Sequence, residues 1–137
     1  MDTSMFKRTK KVLVDWSFLV NKKVGRPGRK RAVLAVLSFM EGNGDETLVV
    51  EPDALKLRGF VDFGRGRADE FTITSSINTI IRSDNRASFL LITKNGSEYR
   101  VDRKAMSTAM RFLMECYLGD ETYSIPAAIA ACCPFYY

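Results

Sequence analysis

Histidine is missing from all 137 residues of the chain. That absence excludes Ser-His-Asp and Cys-His catalysis and every imidazole-based metal site. Cysteine is scarce. Cys116, Cys132 and Cys133 make an odd number with two members adjacent, which suits neither a disulfide framework nor the usual zinc-ligand spacing. Long apolar runs are missing too: Ala32 to Leu37 and Ile125 to Cys133 are too short or too interrupted to span a bilayer. The basic opening "MDTSMFKRTKK" is not followed by an apolar segment with a small-residue cleavage site. No secretory leader is therefore expected, and a cytoplasmic or nuclear setting is. Acidic residues are absent from one particular place, "NKKVGRPGRKRAV" from Asn21 to Val33, which holds Lys22, Lys23, Arg26, Arg29, Lys30 and Arg31.

What the chain does contain is a core-forming body with a basic front. At 46% apolar residues it is long enough to build one domain over residues 1–137. The net charge of +5 is unevenly spread. Residues 1–31 carry ten Lys or Arg against Asp2 and Asp15, a net of +8; the rest carries eleven against fourteen acids, a net of −3. A basic arm (1–11) and a basic loop (21–31) joined to a mildly acidic body point to a polyanionic partner.

Patterning places this charge on a fold. "VLVDWSFLV" alternates Val12, Val14, Trp16, Phe18 and Val20 against Asp15 and Ser17, which predicts a half-buried strand. Pro27 and its flanking glycines predict irregular structure in the basic loop. Two apolar runs around Gly42-Asn43-Gly44-Asp45 then read as a hairpin over Ala32 to Met40 and Thr47 to Glu51; the first run also fits a helix presenting Val33, Val36, Leu37 and Met40. "PDALKLRG" fits one helical turn or an irregular connection, with a short strand expected at Phe60 to Phe63 and another in "EFTITSSINTII". Asn95-Gly96 predicts a tight hairpin between Ser88 to Lys94 and Ser97 to Val101, with both turn residues at positive φ.

The last clear element is helical, starting at Asp102 as N-cap and leaving at Gly119. Its apolar face is unusually wide, because Phe112 and Cys116 extend it on one side and Met114 and Leu118 on the other. Such a face needs a cover. The apolar tail 120–137, with Ile125, Phe135 and Tyr136, supplies one within the subunit or across a homo-oligomer interface. The expected fold is α+β: a mostly antiparallel sheet of about five or six strands with a C-terminal helix packed on it.

Two short stretches resemble known nucleic-acid motifs. "KKVGRPGRKR" resembles an AT-hook, whose Gly-Arg-Pro core is matched by Gly25, Arg26 and Pro27; the resemblance implies that Arg26 enters a narrow minor groove. Val24 and Gly28 stand where that motif has basic flanks, and the other reading is a basic turn that contacts phosphates generally. "RGFVDFGRGR" resembles both the aromatic strand of RNA-recognition motifs and Arg-Gly segments of RNA-binding tails. In an extended chain Phe60 and Phe63 face opposite sides, so one ring at most would stack on a base, with Arg58, Arg65 and Arg67 extending a phosphate track.

Catalytic signatures are missing. There is no Walker-type run and no dinucleotide fingerprint. Asp53, Asp62, Asp69 and Glu70 would suit magnesium by chemistry but form no nuclease signature. No enzyme activity, metal or cofactor is expected. The function expected is non-catalytic nucleic-acid binding by a homo-oligomer, with contacts from Lys22, Lys23, Arg26, Arg29, Lys30 and Arg31, assisted by Lys10 and Lys11. The alternative is a self-assembling coat- or matrix-like protein in which the last helix and tail drive oligomerisation.

Overall fold

A computed structural model describes residues 11–62 and 68–118. The first strand, β1 (Val12–Val20), forms where expected but does not keep one face. Asp15 has a φ of 51°, and the register against the next long strand, β3 (Leu55–Asp62), slips between Val14 and Ser17. Asp15 and Trp16 of β1 there oppose the single residue Gly59 of β3, which is a β-bulge. Leu13 points into the core before it, and Trp16, Phe18 and Val20 after it. Val12 and Val14 therefore leave the face on which simple alternation put them. Gly59 lies opposite the bulge, where a Cβ would meet the Val14 carbonyl oxygen at 3.1 Å and Trp16 Cα at 3.3 Å; only glycine lets the two backbones approach so closely.

The segment expected to be a loop and a strand is a helix, α1 (Arg26–Met40). Pro27 does not forbid it, because Pro27 lies in the first turn, where its N–H would lack an intrahelical acceptor and its fixed φ suits the helix. Period decides the rest. Ala32, Val33, Val36, Leu37 and Met40 recur at helical spacing and are all buried, so the helical alternative for this run is the one adopted. Gly42 and Gly44 then take positive φ values of 95° and 77°, turning the chain into β2 (Thr47–Val49).

The remaining strands are β4 (Ala68–Ile73), β5 (Ile77–Arg82), β6 (Ser88–Thr93) and β7 (Glu98–Asp102). Their order is β2-β5-β6-β7-β1-β3-β4. All neighbours are antiparallel except β1 and β7, which are parallel. The sheet thus has seven strands and is mixed, where five or six mostly antiparallel ones were expected. It is also strongly curled. Four residues from Ile73 to Ile77 reach at most ~14 Å, whereas β4 and β5 lie five strand positions apart, ~24 Å in a flat sheet. Contact between β3 and β5 shows the sheet closing on itself.

The β6–β7 hairpin turns as expected but by different chemistry. Thr93 N–H donates to Ser97 O, Gly96 N–H donates to Thr93 O, and Gly96 alone in this turn has positive φ, at 81°. This is a three-residue loop closed by a glycine bulge rather than a two-residue turn.

After a 3-10 turn (Arg103–Ala105), α2 (Thr108–Leu118) completes the described chain. Ser107, not Asp102, caps it: Ser107 Oγ accepts from the Met110 N–H at 3.1 Å. Asp102 accepts instead from Ser88 Oγ at 2.7 Å, and its main-chain oxygen accepts from Trp16 Nε1 at 2.9 Å. Both helices pack on one face of the sheet around Trp16, Leu37, Leu57, Phe89, Met110 and Leu113. The opposite face carries the small Ile81–Leu90 cluster. Among the described residues no helix is long and apolar enough to cross a membrane.

Candidate nucleic-acid interface

At the end of β1 one asparagine organises the basic turn. Asn21 N–H donates to Ala54 O at 2.9 Å, its Nδ2 donates to Asp53 O at 2.8 Å, and its Oδ1 accepts from the Lys23 N–H at 2.9 Å. This side-chain-to-backbone turn holds Lys22 and Lys23 outward, and both are exposed. Gly25 then caps α1 in extended conformation without a side-chain hydrogen bond, and no acid occupies the first turn. Unsatisfied N–H groups at a helix start carry a positive partial charge, which disfavours nearby cations and favours anions. Arg26, Arg29 and Lys30 nonetheless follow. By charge alone this end of the helix is poorly built for stability and well suited to phosphate.

The same end of the sheet adds two lysines that sequence inspection missed. A groove of about 390 Å³ is lined by Lys23, Lys56, Lys94, Asp53, Ser75 and Ser76. Lys94 Nζ lies 3.3 Å from Asp53 Oδ1, both well exposed, so three ammonium groups face one carboxylate. Lys56 is the second residue of β3 and Lys94 follows β6. Only the strand order brings them beside Lys23, and no local pattern announces it.

Other expected cations divide by position. Arg31 pairs with Glu51 at 3.0 Å. Lys11 lies 5.8 Å from the Tyr99 ring centroid, away from the loop. Arg58 stands over the Phe71 ring at 5.1 Å. Lys10, Arg65 and Arg67 fall outside the described residues, as do Ile125, Phe135 and Tyr136 of the expected oligomer interface. Of the interface residues expected on α2, Met114 and Cys116 are 4% and 5% exposed within this chain's own core, whereas Phe112 is 48% exposed. Met110, Leu113, Met114 and Cys116 of that apolar face lie in the core that α2 shares with α1 and the sheet. Leu118 is the last residue of α2.

Arginines at the other end of α1 have a different employment, and none of them stood out in the sequence. Arg82, 8% exposed, donates to Phe39 O at 2.6 Å, Asn43 O at 3.1 Å and Gly44 O at 3.2 Å, with its guanidinium 4.6 Å from the Phe39 ring centroid. Arg86 Nη1 donates to Glu41 O at 2.7 Å. Arg103 donates to Met40 O, to Arg86 O at 3.0 Å and to Glu41 Oε1 at 2.9 Å. Together they satisfy carbonyls at the helix C-terminus, where the macrodipole favours cations. The cavity of about 750 Å³ beside them is lined by Arg86, Arg103 and also by Glu41 and Asp102. Arg100 and Lys104 line it too, so four cations stand against two acids; Glu41 pairs with Arg103 at 2.9 Å and Asp102 with Arg100 at 3.1 Å.

The carboxylates considered for magnesium are dispersed. Asp53 precedes β3, Asp62 ends it, and Glu70 pairs in register with Val61, on the other face from Asp62. Among the described residues no group of three or more metal-binding side chains gathers. No protein-family model, curated protein or solved structure matches this chain.

Proposed function

We propose that this chain is a non-catalytic nucleic-acid-binding protein that contacts phosphates through the turn after β1, the first turns of α1 and the lysines of the adjoining groove. The observation that carries the reading is the acid-free, cation-rich start of α1. Charge of that sign is placed where the helix itself is positive, against its own stability, and an anionic ligand relieves both. Lys22, Lys23, Arg26, Arg29 and Lys30 provide the contact, with Lys56 and Lys94 beside them. Arg31 is partly engaged by Glu51. Neutralising phosphates releases counterions, so affinity falls steeply with salt, by a log–log slope of about 0.9 per contact on duplex and about 0.7 on single strands.

The test is titration of the purified chain against labelled single- and double-stranded oligonucleotides at two salt concentrations, with light scattering to count subunits. Tight, salt-sensitive binding is expected. No binding at low salt removes the reading.

A second reading, self-assembly of the coat or matrix kind, is favoured by Phe112 on α2 and by Val49, 77% exposed on the edge strand β2. Under it, deleting residues 120–137 abolishes assembly and nucleic-acid binding together. Under the first reading, a homo-oligomer loses assembly and keeps binding.

A further inference from the structure

The face of the sheet opposite the helices carries an exposed aromatic site. Along β3, Lys56, Arg58 and Phe60 alternate with the core residues Leu55, Leu57 and Val61 and so project from that face. Register pairs Phe60 with Phe71 and Arg58 with Ile73 of β4. The two rings meet edge to face at 5.5 Å between centroids. Phe71 remains 47% exposed and Ile73 52% exposed. Large apolar side chains exposed side by side on a sheet face mark a binding surface more often than isolated ones do.

Charge identifies the occupant. The row begins in the lysine groove at Lys56 and continues to Arg58, whose guanidinium is held 5.1 Å from the Phe71 centroid; it turns acidic only beyond Phe60, at Asp62. From Lys56 to Phe60 the strand covers roughly 13 Å. Cations leading to an exposed ring, with one cation stacked on that ring, form the combination that holds the backbone and the bases of an unpaired strand. A duplex has no base face to offer, because its faces are stacked inside.

We propose that Phe71, braced by Phe60 and Arg58, is a base-stacking platform, and that the ligand is single-stranded nucleic acid whose phosphates lie on Lys23, Lys56 and Lys94. The inference rests on the nucleic-acid reading above and narrows it to unpaired strands. From sequence, one ring at most of Phe60 and Phe63 would stack on a base; register adds Phe71, reached across the ladder from Phe60.

The test uses the full chain, labelled single-stranded and duplex oligonucleotides, and the variants F71A and F71W. F71A is expected to weaken single-strand binding about 5- to 150-fold, with duplex binding and the salt slope unchanged. F71W is expected to restore affinity. Its indole fluorescence should be quenched by the single strand alone, a signal separable from the native Trp16, which is fully buried. Single-strand affinity of F71A within twofold of wild type, with wild-type binding intact, overturns the platform and leaves the phosphate reading standing. Loss of self-association in F71A without loss of affinity also overturns it, making β4 a subunit contact. Failure of the wild type to bind either oligonucleotide at low salt defeats the nucleic-acid reading itself. Thermal melting of each variant checks that it folds; if F71A melts early, F71W alone decides, because an unquenched indole at a saturating single strand contradicts stacking.

Discussion

Both ends of α1 are surrounded by positive charge, yet the charge acts on folding in opposite directions. At the C-terminus, Arg82, Arg86 and Arg103 reach in from β5, the turn before β6 and the 3-10 turn to hydrogen-bond carbonyls that the helix leaves open. At the N-terminus the cations come from the helix and its leading turn, and Gly25 offers no cap. The difference teaches how to separate structural from functional charge in a chain of ordinary composition. A guanidinium buried on main-chain oxygens is part of the fold, whereas under the proposed reading a cation held where the local dipole is already positive serves an anionic ligand.

The largest expected effect lies at the C-terminal end. Arg82→Ala should destabilise the fold by about 2–4 kcal/mol, because it removes three hydrogen bonds, to Phe39 O, which keeps the Gly42 N–H, and to Asn43 O and Gly44 O, and uncovers Phe39. Urea unfolding followed by Trp16 fluorescence measures this, and nucleic-acid affinity of the folded variant should not change. A loss below about 1 kcal/mol would mean that these hydrogen bonds contribute little. Arg103→Ala comes next, at about 1–2 kcal/mol, since it removes an ion pair with Glu41 and a helix-end donor together.

At the N-terminal end the sign reverses. Gly25→Asp should stabilise the fold by about 0.5–1 kcal/mol, adding a cap and a negative charge where both are missing. A Cβ there has room, its nearest neighbour being Pro27 Cδ at 3.9 Å. The same change should weaken oligonucleotide binding. Gly25→Ser, which caps without charge, should gain only a few tenths of a kcal/mol and leave affinity unaltered. If Gly25→Asp stabilises and binding is unaffected, the anion belongs elsewhere. The smallest effect is expected from Arg31→Ala. Its ion pair with Glu51 is 67% and 41% exposed at the two side chains, so no more than about 0.5 kcal/mol should be lost after solvent screening. Binding should fall less than for Lys22→Ala.

Legibility in the sequence followed locality. The β6–β7 hairpin was readable because Asn95-Gly96 determines it within a few residues, even though the turn type differs. β1 was readable as a strand but not in its bulge, because the positive φ of Asp15 and the close approach of Gly59 depend on β3. α1 was misread because Pro27 and its glycines look like breakers until the helix start is placed around them. The exposed lysines of the turn were legible from composition alone. Lys56, Lys94 and Phe71 were not, because their membership in one surface depends on strand order and register. The apolar face of α2 was read wider than its buried part, since Phe112 is 48% exposed. That part rests on the sheet and on α1, whose run from Ala32 to Met40 the sequence left open between strand and helix.

The central claim is that the positive start of α1 is where phosphate binds. The most direct measurement is the salt dependence of affinity for a single-stranded oligonucleotide, in the wild type and in a variant with Lys22, Lys23, Arg26, Arg29, Lys30 and Arg31 replaced by Ala. The account predicts a large loss of affinity and a slope shallower by about 0.7 for each phosphate contact removed, in a variant that remains folded. Equal affinity and equal slope in the two proteins would contradict it.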